Sequence, residues 1–561
     1  MKKFFNFNNL VVFLGIIAIL FCLALRFDLA MNRFFDEDEF RHLYRSYLLA
    51  QGQMPYRDFG YSFSPFLIAY FAPLFLFLKE GVVVLFFARA LNFLVFLATL
   101  LVLFYIGNLA FNRLTGVVAA FFWALLPLNL SKTIEIRPDN FSLLFWLASF
   151  LFLLMAEKKK KKRLFLLMAG FTYGLAFLIL MKVAFGYLGL FAGLLFVSRG
   201  TWKKLWENFF FFHLGVLIPF LALFLFAFLL GDIPKVIYSV FLLPYEINRS
   251  YGKMFFDPIF PFIPNDAFYG LGGRSLPWCL TIFVIFLGVA GLIKQAFQAA
   301  FKGYQLISLF LIFSFLGFAF LVFFFIYITL LQNYLPLLVI LCLLAAIFLV
   351  DLGHWLQKKI GLLWLIGWLS LFSLSCFGLW QSERVQTKWK NTGQLQIVNN
   401  ILLVSEPGDA VYDMTGYHLY RQPGYFYCCE PFPLFVHGLS QPFPSLTEEL
   451  RRNQTKFIYW NKSNFWTLAT EDVNFLKQNY LLTGLGDLYV VGKKIVFSGN
   501  QEMMFEILAE GEYQIEKESQ GRLIIDGQEI KTNQLYLNNG WHQTRGEGIK
   551  GLILKYKMRS R

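Results

Sequence analysis

Apolar residues along this chain fall in long unbroken runs, not in the 3.6- or 2-residue periods of half-buried helices and strands. A membrane-spanning helix needs about 20 predominantly apolar residues. Eleven stretches predict spans: 9–27, 82–107, 114–130, 140–156, 164–181, 183–198, 207–230, 276–293, 305–331, 333–350 and 360–380. The first follows Met1-Lys2-Lys3 but is long and lacks a small-residue cleavage site, so it reads as an anchor and not a signal peptide. A further apolar stretch, 63–78, is interrupted by Pro65 and Pro73 and reads as a re-entrant or interfacial helix.

From 381 the pattern is that of a soluble region. A helix is expected over 383–404, a strand at Ala410–Tyr412 and another at Lys456–Trp460. Beyond 500 the alternation is β-like, as in Phe505-Glu506-Ile507 and Tyr513-Gln514-Ile515, with Asp526-Gly527 as a hairpin turn. The fold class is therefore an all-α polytopic membrane domain of about 11 helices over 1–380, with a soluble C-terminal part. That part divides into a mixed α/β subdomain, 381–499, and a small β-rich, sandwich-like module, 500–561. Segments 28–81 and 231–275 are the long outer loops.

Composition agrees: 58% of the 561 residues are hydrophobic and 15% charged, which excludes disorder, collagen and small disulfide scaffolds. The net charge of +15 suggests nucleic acid until it is located. The tail from 381 is nearly neutral, so almost all of the excess lies between the spans. With the N-terminus cytoplasmic, the inner segments hold Arg113, Lys158 to Lys162, Arg163, Arg199, Lys203, Lys204, Lys294, Lys302, Lys358 and Lys359. This is the positive-inside pattern of a cytoplasmic-membrane protein, with the tail extracytoplasmic and no nucleic-acid partner. The six cysteines read as free or buried, including the adjacent Cys428 and Cys429, whose bridging would be strained. There is no phosphate-cradling glycine loop, CxxC pair or HExxH, so nucleotide hydrolysis and a zinc cage are unsupported. Asn-x-Ser/Thr matches occur at Asn129, Asn248, Asn453 and Asn461.

The strongest chemical feature is Asp36-Glu37-Asp38-Glu39, just past the first span. Four successive carboxylates repel one another and need water, a cation or a catalytic task. If the segment is helical, Asp38 and His42 share a face. Gly52, then Pro55-Tyr56-Arg57-Asp58-Phe59, then Ser64-Pro65 follow. This order resembles the first outer loop of GT-C glycosyltransferases, polytopic enzymes similar to protein O-mannosyltransferases and the lipid A aminoarabinose transferase. Glu135-Ile136-Arg137-Pro138-Asp139 is similar to the family's Arg-x-Asp element, Gly174 to Lys182 to its Gly…Lys stretch, and Tyr334-Leu335-Pro336 to its late Tyr-Leu-Pro. Arg89 falls where relatives commonly have Arg. The segment Gly60-Tyr61-Ser62-Phe63-Ser64-Pro65 departs from the pattern, which has a His or a second Pro there.

The resemblance implies a sugar carried on a polyprenyl phosphate, a lipid, glycan or protein acceptor, and transfer at the outer face of the bilayer. It makes Asp38 the first choice for general base, with Glu39 second, and the pair a ligand set for a divalent cation, Mg2+ or Mn2+. His42, Tyr56, Arg57, Asp58, Arg89, Arg137, Asp139, Lys182 and Tyr334 are the substrate-contact candidates, the cations stabilising phosphate charge. Each has a plainer reading. Arg89 could snorkel, Arg137 and Asp139 could pair to order a loop, Lys182 could cap a helix and His42 could simply pack. The rival functions are a transporter or lipid flippase and a non-catalytic membrane scaffold.

Overall fold

The computed structural model describes residues 7–158, 161–250, 257–265, 269, 275–303, 305–326, 330–360, 362–429, 443–460, 468–499 and 501–559. Lys2, Lys3, Lys159, Lys160 and Asn461, which the sequence reading used, lie outside them. The chain forms two compact units, residues 1–34 with 86–390, and residues 35–85 with 391–561.

In chain order the helices are α1 (Phe7–Asn32), α2 (Glu37–Ala50), α3 (Phe66–Phe77), α4 (Val83–Ala110), α5 (Arg113–Leu125), α6 (Leu130–Ile134), α7 (Pro138–Lys158) and α8 (Lys162–Ile179). Then come α9 (Tyr187–Val197), α10 (Trp202–Leu230), α11 (Ile233–Ile237), α12 (Leu243–Ser250), α13 (Leu276–Lys302), α14 (Leu306–Phe320), α15 (Leu335–Ile360) and α16 (Leu362–Gln386). Among the described residues nine helices are long and apolar enough to cross a membrane, against the eleven expected. The two that fall short are α5, bent by 57° where it meets Pro127–Ile134, and the short Met181–Val197 segment.

Packing direction shows how the chain runs at both. A Cβ at Gly170 or Gly174 of α8 would strike the Phe212 and Val216 carbonyls of α10, so residue numbers rise together and the two helices run parallel. Two parallel neighbours require the intervening segment to return, and the 3-10 turn Met181–Gly186 with α9 covers about 28 Å. Likewise Gly15 of α1 faces Val117 of α5, and Arg26 reaches Ala124 further along, so α1 and α5 run parallel. Gly15 also faces Phe372, and Phe34 N donates to Trp389 O at 2.7 Å, so α16 runs with them. The chain therefore leaves α1 and α16 at the same end of the bundle.

The bend in α5 has a local cause. Pro127 has no N–H, and the residue before it, Leu126, is pushed out of the helical region (φ −55°, ψ 115°). Carbonyls freed in a membrane must find partners inside the protein. Arg26, fully buried, supplies them: Nε donates to Ala124 O at 2.7 Å and Nη2 to Leu126 O at 3.1 Å. The same guanidinium holds Thr133 Oγ1 at 2.6 Å and Asn129 Oδ1 at 2.5 Å. Asn129 is thereby buried, and its sequon is closed to glycosylation.

In the other unit, α3 is 12 residues with Pro73 inside it, about 18 Å long and too short to span, as expected of an interfacial helix. The helix expected over 383–404 is broken: α16 ends at Gln386 and α17 is Thr392–Val404. The remaining helices are α18 (Leu446–Arg452) and α19 (Thr470–Asn479). Strands β1 (Ala410–Tyr412) and β3 (Phe457–Tyr459) form where predicted.

The other strands are β2 (Gln422–Pro423), β4 (Tyr480–Leu482), β5 (Leu488–Val496), β6 (Met503–Ile507), β7 (Gly511–Lys517), β8 (Arg522–Ile525), β9 (Gln528–Glu529), β10 (Gln534–Leu537), β11 (Gly540–Glu547) and β12 (Gly551–Tyr556). One sheet runs β10-β7-β12-β5-β3-β1-β2, with β4 also on β5; the second runs β6-β11-β8-β9. The boundary expected at 499/500 is therefore no sheet boundary, because β12 pairs with β5 from Gly551↔Val496 onward. Alternation over five or six residues marks a strand but not its partner, so the join was invisible in sequence. The Asp526-Gly527 turn is as read, with φ 49° and 77° linking β8 to β9.

Two predictions follow from these contacts. Gly170→Leu drives a side chain into the Phe212 carbonyl and is expected to destabilise the bundle by about 1–3 kcal/mol. Gly367→Ala, with nothing within 4 Å, is expected to be neutral or mildly stabilising when detergent-solubilised variants are compared by thermal unfolding.

Asp526 supplies the second. Burial opposes its ionisation, but the 2.6 Å bond from His542 Nδ1 and the Gln543 N–H hold its carboxyl below the usual range. That stabilisation is present above the unfolded carboxyl value, roughly 3.9, and is lost as pH falls through the lower folded value. Asp526→Asn should lower the melting temperature at neutral pH and remove that part of the acid-limb slope.

Candidate functional site

The acidic run resolves into different tasks. Asp36 is the N-cap of α2: its side chain accepts from Asp38 N, and Glu39 reaches back to Asp36 N at 2.8 Å, completing a capping box. Glu39 is consequently fully buried. Arg41, one turn on, binds Glu37 at 2.9 Å and Asp38 at 3.0 Å. Repulsion among the four carboxylates is relieved by the positive helix end, the cap and this one guanidinium. Asp38 keeps a third of its side-chain surface exposed and is the more open member of the Asp38–Glu39 pair.

His42 is buried, edge-on to the Tyr61 and Phe63 rings, with Nδ1 3.4 Å from Tyr61 Oη. Tyr56, Arg57 and Asp58 build a turn. Tyr56 sits at φ 70° with its hydroxyl on Phe63 O, Asp58 accepts from Met54 N at 2.7 Å, and exposed Arg57 pairs with Asp58 at 2.8 Å.

The remaining candidates lie in the membrane unit. Arg89 is fully buried and does not snorkel: it donates to Ala30 O, Arg33 O and Phe34 O at 2.6–2.8 Å, closing the C-terminal end of α1. Arg137 pairs with Glu135 at 2.7 Å, not with Asp139 as its sequence spacing suggested. Asp139 instead binds Lys182, which also donates to Gln332 O and Asn333 Oδ1. Pro138 opens α7 between the two residues, so Asp139 begins a helix while Glu135 and Arg137 precede it. Tyr334 is buried with its hydroxyl on Pro258 O.

Glu135 is the residue the sequence reading undervalued. Fully buried, it gathers Arg33 at 3.0 Å, Lys132 at 2.8 Å and Arg137 at 2.7 Å. Arg33, from the end of α1, was missed with it, because nothing in sequence links positions 33 and 135. Arg26 and Arg421 were also missed. Arg421 is the counterpart of Arg89 in the soluble unit, donating to Leu402 O, Ser405 O and Tyr420 O around the end of α17 and to Glu80 at 2.5 Å.

Among the described residues nine helices are long and apolar enough to span, and a strand-containing region follows them. Comparison with known proteins identifies similar folds. Residues 64–229 match the family model for dolichyl-phosphate-mannose-protein mannosyltransferase. The apo oligosaccharyltransferase of Archaeoglobus fulgidus is similar over 85% of this chain and 73% of its own, with 12% identity and a TM-score of 0.55. ArnT from Cupriavidus metallidurans bound to undecaprenyl phosphate is similar over 87% and 93%, with 14% identity and a TM-score of 0.53. The Archaeoglobus enzyme tethered to an acceptor peptide with an NVT sequon gives 0.52 at 11% identity, over 86% and 73%. No curated protein sequence matches the chain. The chain has the GT-C fold.

Removing the Glu135 charge should leave three cations without their shared partner. Glu135→Gln is expected to cost about 3 kcal/mol or more, read as a fall in melting temperature, whereas Arg57→Ala at an exposed turn should shift it little.

Proposed function

We propose that this protein is a membrane glycosyltransferase that moves a sugar from a polyprenyl-phosphate donor to an acceptor hydroxyl or amide on the extracytoplasmic side, with Asp38 as general base. The observation that carries the reading is a cation cluster at one end of the bundle. Within the membrane unit Arg33, Lys132, Arg137 and Lys182 gather on Glu135 and Asp139.

Transfer from a lipid-phosphate sugar breaks the bond between the anomeric carbon and the phosphate oxygen while the acceptor loses a proton. The leaving phosphate gains charge, and preorganised cations in a water-poor site stabilise it. The proton goes to a positioned carboxylate. Asp38 is that carboxylate because Glu39 is occupied in the capping box and buried. Its partner Arg41 orients it. Because Glu39 is held in the cap, Asp38 and Glu39 do not fit a shared Mg2+ or Mn2+ ion. Arg89 closes the end of α1.

Two further observations support a lipid donor. ArnT, similar in fold, is bound to undecaprenyl phosphate. An apolar groove of about 300 Å³ runs beside α10, lined by Leu217, Phe220, Phe224, Ile233 and Phe241, with the chemistry of an isoprenoid slot. The inner lysines and arginines set the orientation, tail outside.

Asp38→Asn should leave the melting temperature unchanged and reduce sugar transfer by about 10²–10⁴-fold. Glu39→Gln should lower stability by about 1 kcal/mol while retaining most turnover. The measurement is product formation by purified protein across a panel of polyprenyl-phosphate sugars. Full activity of a folded Asp38→Asn variant would remove Asp38 as the base; no turnover of any donor by the native protein would remove the class of reaction.

A further inference from the structure

Cys428, Cys429 and His418 lie far from the acidic run in sequence and have no part in the transfer reaction. All three are buried, and the two Sγ atoms and a ring nitrogen lie within 4.8 Å of one another. Among the described residues this is the one group of three potential ligands so arranged. Neither thiol is in a disulfide.

Adjacent side chains on an extended strand point apart. Here the chain turns, and Cys429 takes φ 65°, a left-handed conformation uncommon for a side-chain-bearing residue. His418 is fully buried, and neither of its ring nitrogens makes a hydrogen bond. A buried imidazole with both nitrogens idle is costly unless something else occupies one of them. The nearest carboxylate is Asp413 Oδ2, 3.6 Å from Nδ1. Asp413 itself is held by the Thr415, Gly416 and Tyr417 N–H groups at 2.6–3.0 Å.

We propose that His418, Cys428 and Cys429 bind a thiophilic divalent ion of the Zn2+ type, with Asp413 orienting the His418 ring from behind. Two thiolates and an imidazole are soft donors suited to zinc, and they fill three of its four tetrahedral positions. A metal-bound histidine turns its other nitrogen to a carboxylate, the part Asp413 would play. The charges balance: the ion and the Arg45 guanidinium, which donates to Cys428 O at 3.0 Å, offset two thiolates and Asp413.

The ion would serve as a staple. The Tyr44 ring lies tilted against His418, centroids 4.0 Å apart, and Arg45 binds both Gly60 O and Cys428 O, so the site ties α2 to the tail segment 413–429 within one unit.

The test uses the full-length chain in detergent. After purification without chelator and dialysis against Zn2+, elemental analysis should find one zinc per chain. Co2+ in its place should give thiolate-to-metal charge-transfer absorption. Cys428→Ser with Cys429→Ser, and separately His418→Ala, should lower the zinc content at least tenfold. In the native protein, Zn2+ should protect Cys428 and Cys429 from alkylation, mapped by peptide mass against the other four cysteines; this holds even if the variants fail to fold. Zinc content unchanged in the variants, no zinc at all after reconstitution, or recovery of Cys428 and Cys429 as a disulfide that Zn2+ does not prevent would each overturn the proposal.

Discussion

A helix that stops inside a membrane leaves carbonyls with no partner, and this chain answers that constraint with buried arginines. Arg89 takes three carbonyls at the end of α1, and Arg26 takes those released by the break at Pro127. Arg421 repeats the device at the end of α17 in the soluble unit. A guanidinium suits the task because its donors form a fixed fork and it stays charged in any surroundings. Much else rests on these closures. The α5 break presents Asn129 and Thr133 to Arg26, and Glu135 follows it to meet Arg33.

Around Glu135 the electrostatics follow from the same geometry. A buried carboxylate with three cations on it is strongly held, and each cation is in turn aimed. Asp139 and Lys182 add a second pair, with Asn333 and Gln332 completing the lysine's bonds. Such a cluster is held in place from several sides. In the other unit the cap of α2 occupies Asp36 and Glu39, and Arg41 holds Asp38.

The spans, the positive segments between them and the separate tail were legible in sequence because each depends only on local composition. Among the described residues nine helices are long and apolar enough to span, and the two expected spans that fall short have a proline break or a short apolar run. The Asp526-Gly527 hairpin and the strands at 410–412 and 457–459 were legible too, since turn chemistry and short alternation are local. The acidic run could be picked out, but its four carboxylates could not be told apart, because capping depends on which residue starts the helix.

Sequence by itself determined that this is a many-pass membrane protein with an acid-rich first loop and a soluble strand-bearing tail: length, hydropathy and charge are sums over neighbours. Only the tertiary structure decided the pairings between distant residues. It joined Arg33 to Glu135 across 102 positions, gave Arg137 to Glu135 instead of Asp139, and ran one sheet through the boundary at 500. It also placed His418 beside two adjacent cysteines that no spacing motif marks. The physical reason is the same in each case. A side chain's partner is set by which helices and strands pack together, and that is decided by burial over the whole fold, not by the residues on either side.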